Sequence, residues 1–226
     1  MEGDAERVLQ FAASHDLVLA AQIRAFLRLE QTAAQRAVDA LLAGGCLARV
    51  GLGPGLAGFA TTPQGREALC PTPVPRPVVV DRAVRARLGA VWVWIRSRDG
   101  RFPDARVLSA REALAHDLTL LSNGAQLPRS ERYGLRIGGV PSRSATGLHY
   151  PEVLLQFHDG WCAVHLQLSP VGQEELVARL RSYGADERYG KLVFVVERER
   201  VARQVERAAL SAGVADVTLV RWMEWS

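Results

Sequence analysis

Glu152, His165 and Gln167 are the side chains whose types and spacing could do chemistry. They stand in the stretch 149–169, HYPEVLLQFHDGWCAVHLQLS. Residues two apart share a face of a β-strand, and Asp159-Gly160 suits a two-residue primed turn, in which both central residues take φ > 0. A turn on that dipeptide pairs His158 with Trp161, Gln156 with Ala163, Leu154 with His165 and Glu152 with Gln167. One face then carries Glu152, Leu154, Gln156, Ala163, His165 and Gln167. The other, Val153, Leu155, Phe157, Cys162, Val164, Leu166 and Leu168, is continuous apolar core. A carboxylate and an imidazole on one sheet face suggest metal-assisted hydrolysis. Magnesium-dependent phosphodiester cleavage needs hard oxygen ligands, commonly two carboxylates, and a cation at the transferring phosphoryl group. This face offers one carboxylate, an imidazole that magnesium disfavours and a neutral amide. Glu112 and Glu174 are the candidates for a second carboxylate, although nothing in the sequence brings either near. A His/Glu site for a softer metal and a satisfied polar sheet face under a helix are the other readings.

The elements that must position these residues begin after a proline-rich stretch. Asp81 caps a predicted helix over 82–97 with Val84, Leu88, Val91, Trp92 and Ile95 inward and Arg82, Arg85, Arg96 and Arg98 on the other side. Ser109 and Glu112 have capping-box spacing at the start of a further helix, which gives Glu112 a structural role. Residues 122–132 read as a loop, 133–137 as a strand and 138–147 as a Gly/Ser loop without a nucleotide-binding motif. After the hairpin come a helix over 173–183, a strand over 192–196, a helix over 201–212 and a strand over 217–220. Connections of that length favour parallel crossovers, so the sheet is expected to be mixed.

Residues 1–70 have a different pattern. Val8, Leu9, Phe11 and Ala12 have helical spacing; a short extended piece at Leu17-Val18 and a helix over 20–29 follow. Thr32 is placed to cap a third helix, with Ala34, Ala37, Val38, Leu41 and Leu42 inward and Gly44-Gly45 as its stop. Strands over 47–50 and 56–61 flank a Gly-Pro loop, and Thr62-Pro63-Gln64-Gly65 opens a last short helix. Three helices, a two-stranded ribbon and a closing helix make a winged helix-turn-helix pattern. The text LLAGGCLARV…GFATTPQGREAL resembles the wing region of bacterial winged-helix regulators. The third helix would expose Gln31, Thr32, Gln35, Arg36 and Asp39. Gln and Arg read adenine and guanine edges, and Arg49 in the ribbon is placed for phosphate. Against DNA contact stands the charge of residues 1–70, six arginines against seven acids for a net of −1.

Composition narrows the class. The chain has 226 residues, 48% hydrophobic and 23% charged, which is ordinary for a soluble globular protein. No apolar run approaches the roughly 18–20 residues of a membrane span, and the acidic, amphipathic N-terminus is not a secretory signal. Cys46, Cys70 and Cys162 lack metal-ligand spacing, so reduced thiols and a cytoplasmic location are expected, with no zinc site. The segment CPTPVPRP at 70–77 is a semi-rigid connector. The expected organisation is therefore a winged helix at 1–70, a linker at 71–77 and a mixed-sheet domain at 78–226, α+β overall.

The second domain resembles the restriction-endonuclease core, the PD-(D/E)xK fold, with Pro151-Glu152 and His165-Leu166-Gln167 in the motif places. The whole chain resembles the replication-relaxation family of actinobacterial and plasmid proteins, which join a winged helix to a nuclease-like domain. The resemblance is carried by HYPE at 149–152, AVHLQLSPVG at 163–172, LRSYGADERYGKLVFVV at 180–196 and ERERVARQVERAALSAG at 197–213. It departs from the family where carboxylates are expected near 165 and 167, and a basic residue near 171, where Val171 stands. The resemblance implies a double-stranded DNA-binding protein of plasmid or mobile-element replication, mobilisation or regulation. Its nuclease-fold domain would be catalytically silent, used for binding or dimerisation, and would have no cofactor. The alternatives are an active nuclease using Glu152 and His165 with Mg²⁺ or Mn²⁺, and a scaffold subunit of a larger assembly, which the C-terminal Trp222 and Trp225 favour.

Overall fold

The computed structural model describes residues 2–222 except 16, 54–55, 70–80, 103, 123–129 and 143. The chain divides into two compact units, residues 1–101 and 102–226. It is a mixed α/β protein. Among the described residues no helix is long and apolar enough to cross a membrane. The linker 71–77, Cys70, Asp16 and Trp225 lie outside the described residues.

In the first unit the order is α1 (Glu2–Ala13), β1 (Val18–Leu19), α2 (Ala20–Leu27), α3 (Gln31–Ala43), β2 (Leu47–Gly53), β3 (Leu56–Thr61), α4 (Pro63–Leu69) and α5 (Asp81–Arg96), with a π-helical turn at Ser97–Arg101. The apolar stripes fold inward as their spacing dictates: Val8, Phe11 and Ala12 of α1 meet Ala34, Ala37, Val38 and Leu41 of α3 in a buried core. The extended piece becomes β1, which pairs with β3 and makes a three-stranded antiparallel sheet in the order β1-β3-β2. Helix α3 ends at Gly44, followed by Gly45 at φ 68°. It starts at Gln31, so Thr32 lies in its first turn and is not its cap, which is Glu30 and makes no side-chain bond. Thr62 ties α4 to the end of α3: its Oγ1 donates to Gly45 O at 2.6 Å and accepts from Gly65 N at 3.1 Å. Gly65 is required there, because a Cβ would fall 2.2 Å from Cys46 O.

Helix α5 corrects the expected domain boundary. It belongs to the first unit, not the second. Leu88, Val91, Trp94 and Ile95 are buried hydrophobic residues of this helix, so Trp94 takes the inward place expected of Trp92. The Trp94 ring packs against Phe11, His15 and Phe26, with centroids 5.8, 4.7 and 4.8 Å away. Gln22, fully buried in α2, donates to Leu88 O at 2.8 Å and accepts from Leu19 N at 2.9 Å. Proline richness marks a stiff connector, but it does not say which side the next helix packs on. Adding α5 changes the electrostatics as well. Residues 1–101 hold thirteen arginines against nine acids, a net of +4, whereas residues 102–226 hold fifteen basic and fifteen acidic side chains.

The second unit runs β4 (Arg106–Ser109), α6 (Ala110–Ser122), β5 (Val153–Phe157), β6 (Gly160–Gln167), α7 (Gln173–Gly184), β7 (Tyr189–Val196), α8 (Glu199–Ala212) and β8 (Thr218–Trp222). These strands form one sheet in the order β4-β5-β6-β7-β8. The first two pairings are antiparallel and the last two parallel, so the sheet is mixed as expected. Ser109 and Glu112 form the capping box in full, with Ser109 N donating to Glu112 Oε2 at 2.7 Å and Glu112 N to Ser109 Oγ at 3.1 Å. The expected strand at 133–137 is reduced to a single bridge between Leu135 and His149. That segment is held instead by Asp117 of α6, which is fully buried. Its carboxylate accepts from Tyr133 N and Gly134 N at 2.8 Å each and from the Tyr150 hydroxyl at 3.0 Å.

Candidate functional site

The hairpin turn falls one residue earlier than Asp159-Gly160. Phe157 pairs with Gly160, so His158-Asp159 is the two-residue loop, and Leu154 faces Ala163 rather than His165. The pairing is thus displaced by two residues, and an even displacement leaves every side chain on its expected face. The same displacement brings Glu152, one step before Val153↔Val164, opposite His165 rather than Gln167.

Glu152 Oε2 lies 3.3 Å from His165 Nδ1 and accepts from Leu166 N at 3.2 Å. The Glu152 side chain is 36% exposed and that of His165 5%. Burial works to raise the Glu152 pKa, but the hydrogen bond from His165 is the chief influence that opposes it, and the carboxyl is held below its usual range. Burial lowers the His165 pKa against the pull of Glu152. The pair is therefore a carboxylate beside a neutral imidazole, with Nδ1–H donating to Glu152 and a lone pair left on Nε2. That Nε2 is buried and has no hydrogen-bond partner; neither has the hydroxyl of Tyr183. The Tyr183 and Phe194 rings lie 5.0 and 5.1 Å from the imidazole.

This face is not open. Leu176, Leu180 and Tyr183 of α7 and Val201, Val205 and Ala208 of α8 pack with Leu154, Ala163, Leu192 and Phe194 in one cluster. The polar face is therefore core, as the apolar one is. Gln167 does not join Glu152 and His165: it is buried, and its amide donates to Ser169 O at 2.6 Å. Glu112 is occupied in the capping box, and Glu174 is exposed in the first turn of α7. At Val171 the backbone N–H and C=O are both held by the Gln204 amide, at 3.3 and 2.6 Å. Among the described residues no three His, Cys, Asp or Glu side chains gather closely enough to hold a metal ion. Cys162, pushed up to about 11 by burial, stays a thiol. Tyr183, Asp117 and Gln204 carried no local signal, since each acts on a segment distant in the chain.

The other candidate surface is the outer side of α3. Gln31, Thr32, Gln35, Arg36 and Asp39 are all exposed, as is Arg49 on β2. Gln35 Nε2 donates to Asp39 Oδ1 at 2.8 Å, and Arg36 Nε to Thr32 O at 3.4 Å. Both bonds lie within one helix, and neither ties the face to another element.

No family model matches the chain, and no curated protein sequence matches it. Among solved structures it is similar to the crystal structure of an O-methyltransferase family 2 protein from Planctomyces limnophilus DSM 3776 in complex with apigenin, at 17% identity and a TM-score of 0.22. That similarity covers 99% of this chain and 60% of the other, so this chain spans less than two thirds of that protein's length. At that TM-score nothing is carried over to this chain.

Proposed function

We propose that the protein binds double-stranded DNA through its first unit, a winged helix, and that its second unit is a PD-(D/E)xK-like domain without catalytic activity. The observation that carries the reading is α3. Its polar face is open from Gln31 to Asp39 while Ala34, Ala37, Val38 and Leu41 anchor the opposite side. Gln and Arg at such positions are the side chains that pair with base edges in the major groove. The net charge of +4 on residues 1–101 is the electrostatic footprint that residues 1–70 alone lack.

The silence of the second unit rests on its donor set. Glu152, its one carboxylate in the motif place, is held by His165 and Leu166 N, Gln167 turns to Ser169, and aromatic rings lie against the imidazole. Resemblance to the replication-relaxation family sets this activity in plasmid or mobile-element replication, mobilisation or regulation in a bacterial cytoplasm, with the second unit serving in binding or dimerisation. The test is an electrophoretic mobility shift on mixed duplexes across a salt titration. Retardation that weakens linearly in log–log form is the expected result; no retardation of any duplex at low salt refutes the reading.

A further inference from the structure

Arg28 occupies the turn between α2 and α3 at φ 53° and ψ 41°, the left-handed region. It is the one non-glycine residue with positive φ among the described residues. The turn needs this geometry: the Arg28 N–H closes on Arg24 O as a helix cap, and Leu29 N donates to the same oxygen at 3.2 Å. Glycine fits such a position best and asparagine next, because a Cβ there crowds the following carbonyl. Arginine has no backbone advantage at that place. Nor does its side chain give the fold anything in return: it is exposed and makes no hydrogen bond, ion pair or ring contact among the described residues. A strained residue that the fold does not use is a candidate for a role outside the fold.

Its place in the chain says which role. Arg28 precedes Gln31, the first residue of α3, by three positions, next to the helix end that lacks a side-chain cap. The carboxylate nearest in sequence, Glu30, makes no side-chain capping bond at the start of α3. We infer that Arg28 clamps a phosphate of the DNA backbone and so fixes the register of α3 on the duplex. The inference rests on the DNA-binding reading. It assigns Arg28 a positioning role, separate from the base-reading face at Gln31, Thr32, Gln35 and Arg36. The strained backbone is then retained because it aims the guanidinium outward where α3 begins.

The full-length chain tests this with Arg28→Gly and Arg28→Lys, on mixed-sequence duplexes over a range of salt. Arg28→Gly relieves the turn, so it should fold and melt about 2–4 °C higher. It should bind every duplex more weakly, and its log–log salt slope should be shallower by about 0.9, the share of one phosphate. Arg28→Lys should keep both the wild-type slope and the wild-type melting temperature. If Arg28→Gly binds with unchanged affinity and slope, this inference falls while DNA binding by α3 stands. If it melts lower than wild type, Arg28 serves the fold and the inference also falls. If the wild-type chain binds no duplex at low salt, the DNA-binding reading falls and takes this inference with it.

Discussion

The outer face of α3 and the Glu152 end of the β5–β6 hairpin carry the same kinds of side chain, arranged at regular spacing on one face of an element. On α3 the side chains Gln31, Thr32, Gln35 and Arg36 project into solvent, and the bonds they make stay within the helix. On the hairpin Glu152 is tied to His165 and to Leu166 N, and Gln167 to Ser169 O, on the face that packs with α7 and α8. Spacing alone therefore does not separate a binding surface from a buried polar network. What separates them is whether another element packs on top, and that decides what substitution does. Buried polar groups lose their partners and their solvent when one member is removed; exposed ones fall back on water.

The sharpest test of this contrast is at another buried polar group, Asp117. Tyr133 N, Gly134 N and the Tyr150 hydroxyl donate to a carboxylate with no exposure, and His116 Nδ1 lies 3.3 Å from it. Asp117→Ala strands two backbone N–H groups and leaves the Tyr150 hydroxyl with Thr146 Oγ1 as its remaining partner, at a cost of about 3–5 kcal/mol. The second unit should then unfold at much lower urea concentration, and Asp117→Asn should recover part of the loss. A urea midpoint unchanged by Asp117→Ala would show that these bonds contribute nothing to the fold.

Glu152→Ala comes next. It leaves His165 Nδ1 and Leu166 N without an acceptor, but Glu152 is partly exposed, so water can replace some of what is removed. A loss of about 1–2 kcal/mol in urea denaturation is expected. If the variant is as stable as wild type but abolishes a metal-dependent cleavage of DNA, the pair is a catalytic site and the contrast with α3 collapses.

The pH dependence of the same pair gives a smaller effect. His165 has a folded pKa below its unfolded value of about 6.5, so the unfolded chain takes up the proton first as pH falls. Stability is complete above that value and drains as pH descends from it toward the folded pKa, at up to about 1.4 kcal/mol per unit. Glu152, also lowered, adds a second loss at lower pH, below the usual carboxylate range. His165→Gln should remove the first of these two windows and shrink the second, because His165 is the chief cause of the lowered Glu152 pKa; both are read as urea midpoints across the acid range.

Much of the α3 face was legible because a helix's inside and outside follow from a short stretch of sequence. The capping box at Ser109–Glu112 and the stop at Gly44-Gly45 were legible for the same reason: each is completed within a few residues. The hairpin was legible in its faces but not in its register, since displacing the turn by one residue keeps the alternation intact while exchanging His165 for Gln167 as the neighbour of Glu152. Three features depend on bonds between distant segments and had no signal. Asp117 reaches across 16 residues to Tyr133, Gln204 reaches back 33 to Val171, and Gln22 finds Leu88 66 residues on. The last of these places α5 in the first unit, and with it the positive charge that residues 1–70 do not have.

The smallest effect on stability belongs to the open face, and it carries the other half of the contrast. Gln35→Ala with Arg36→Ala removes the i,i+4 hydrogen bond to Asp39 and a long one to Thr32 O. The first is worth about 0.2–0.5 kcal/mol, and the second, at 3.4 Å, less. The urea midpoint should therefore move by no more than about 0.5 kcal/mol equivalent. In a DNA-binding assay the same change should erase the difference between preferred and random duplexes, about 1–3 kcal/mol for each bidentate pairing with a base edge. It should also leave the salt slope reduced by less than Arg28→Gly reduces it, because base-edge hydrogen bonds release few counterions. A variant that loses stability on the scale of Glu152→Ala, yet binds DNA as wild type does, would mean that the α3 face serves the fold rather than a duplex. The contrast between the two faces would then vanish, since the side chains of both would be holding the fold together.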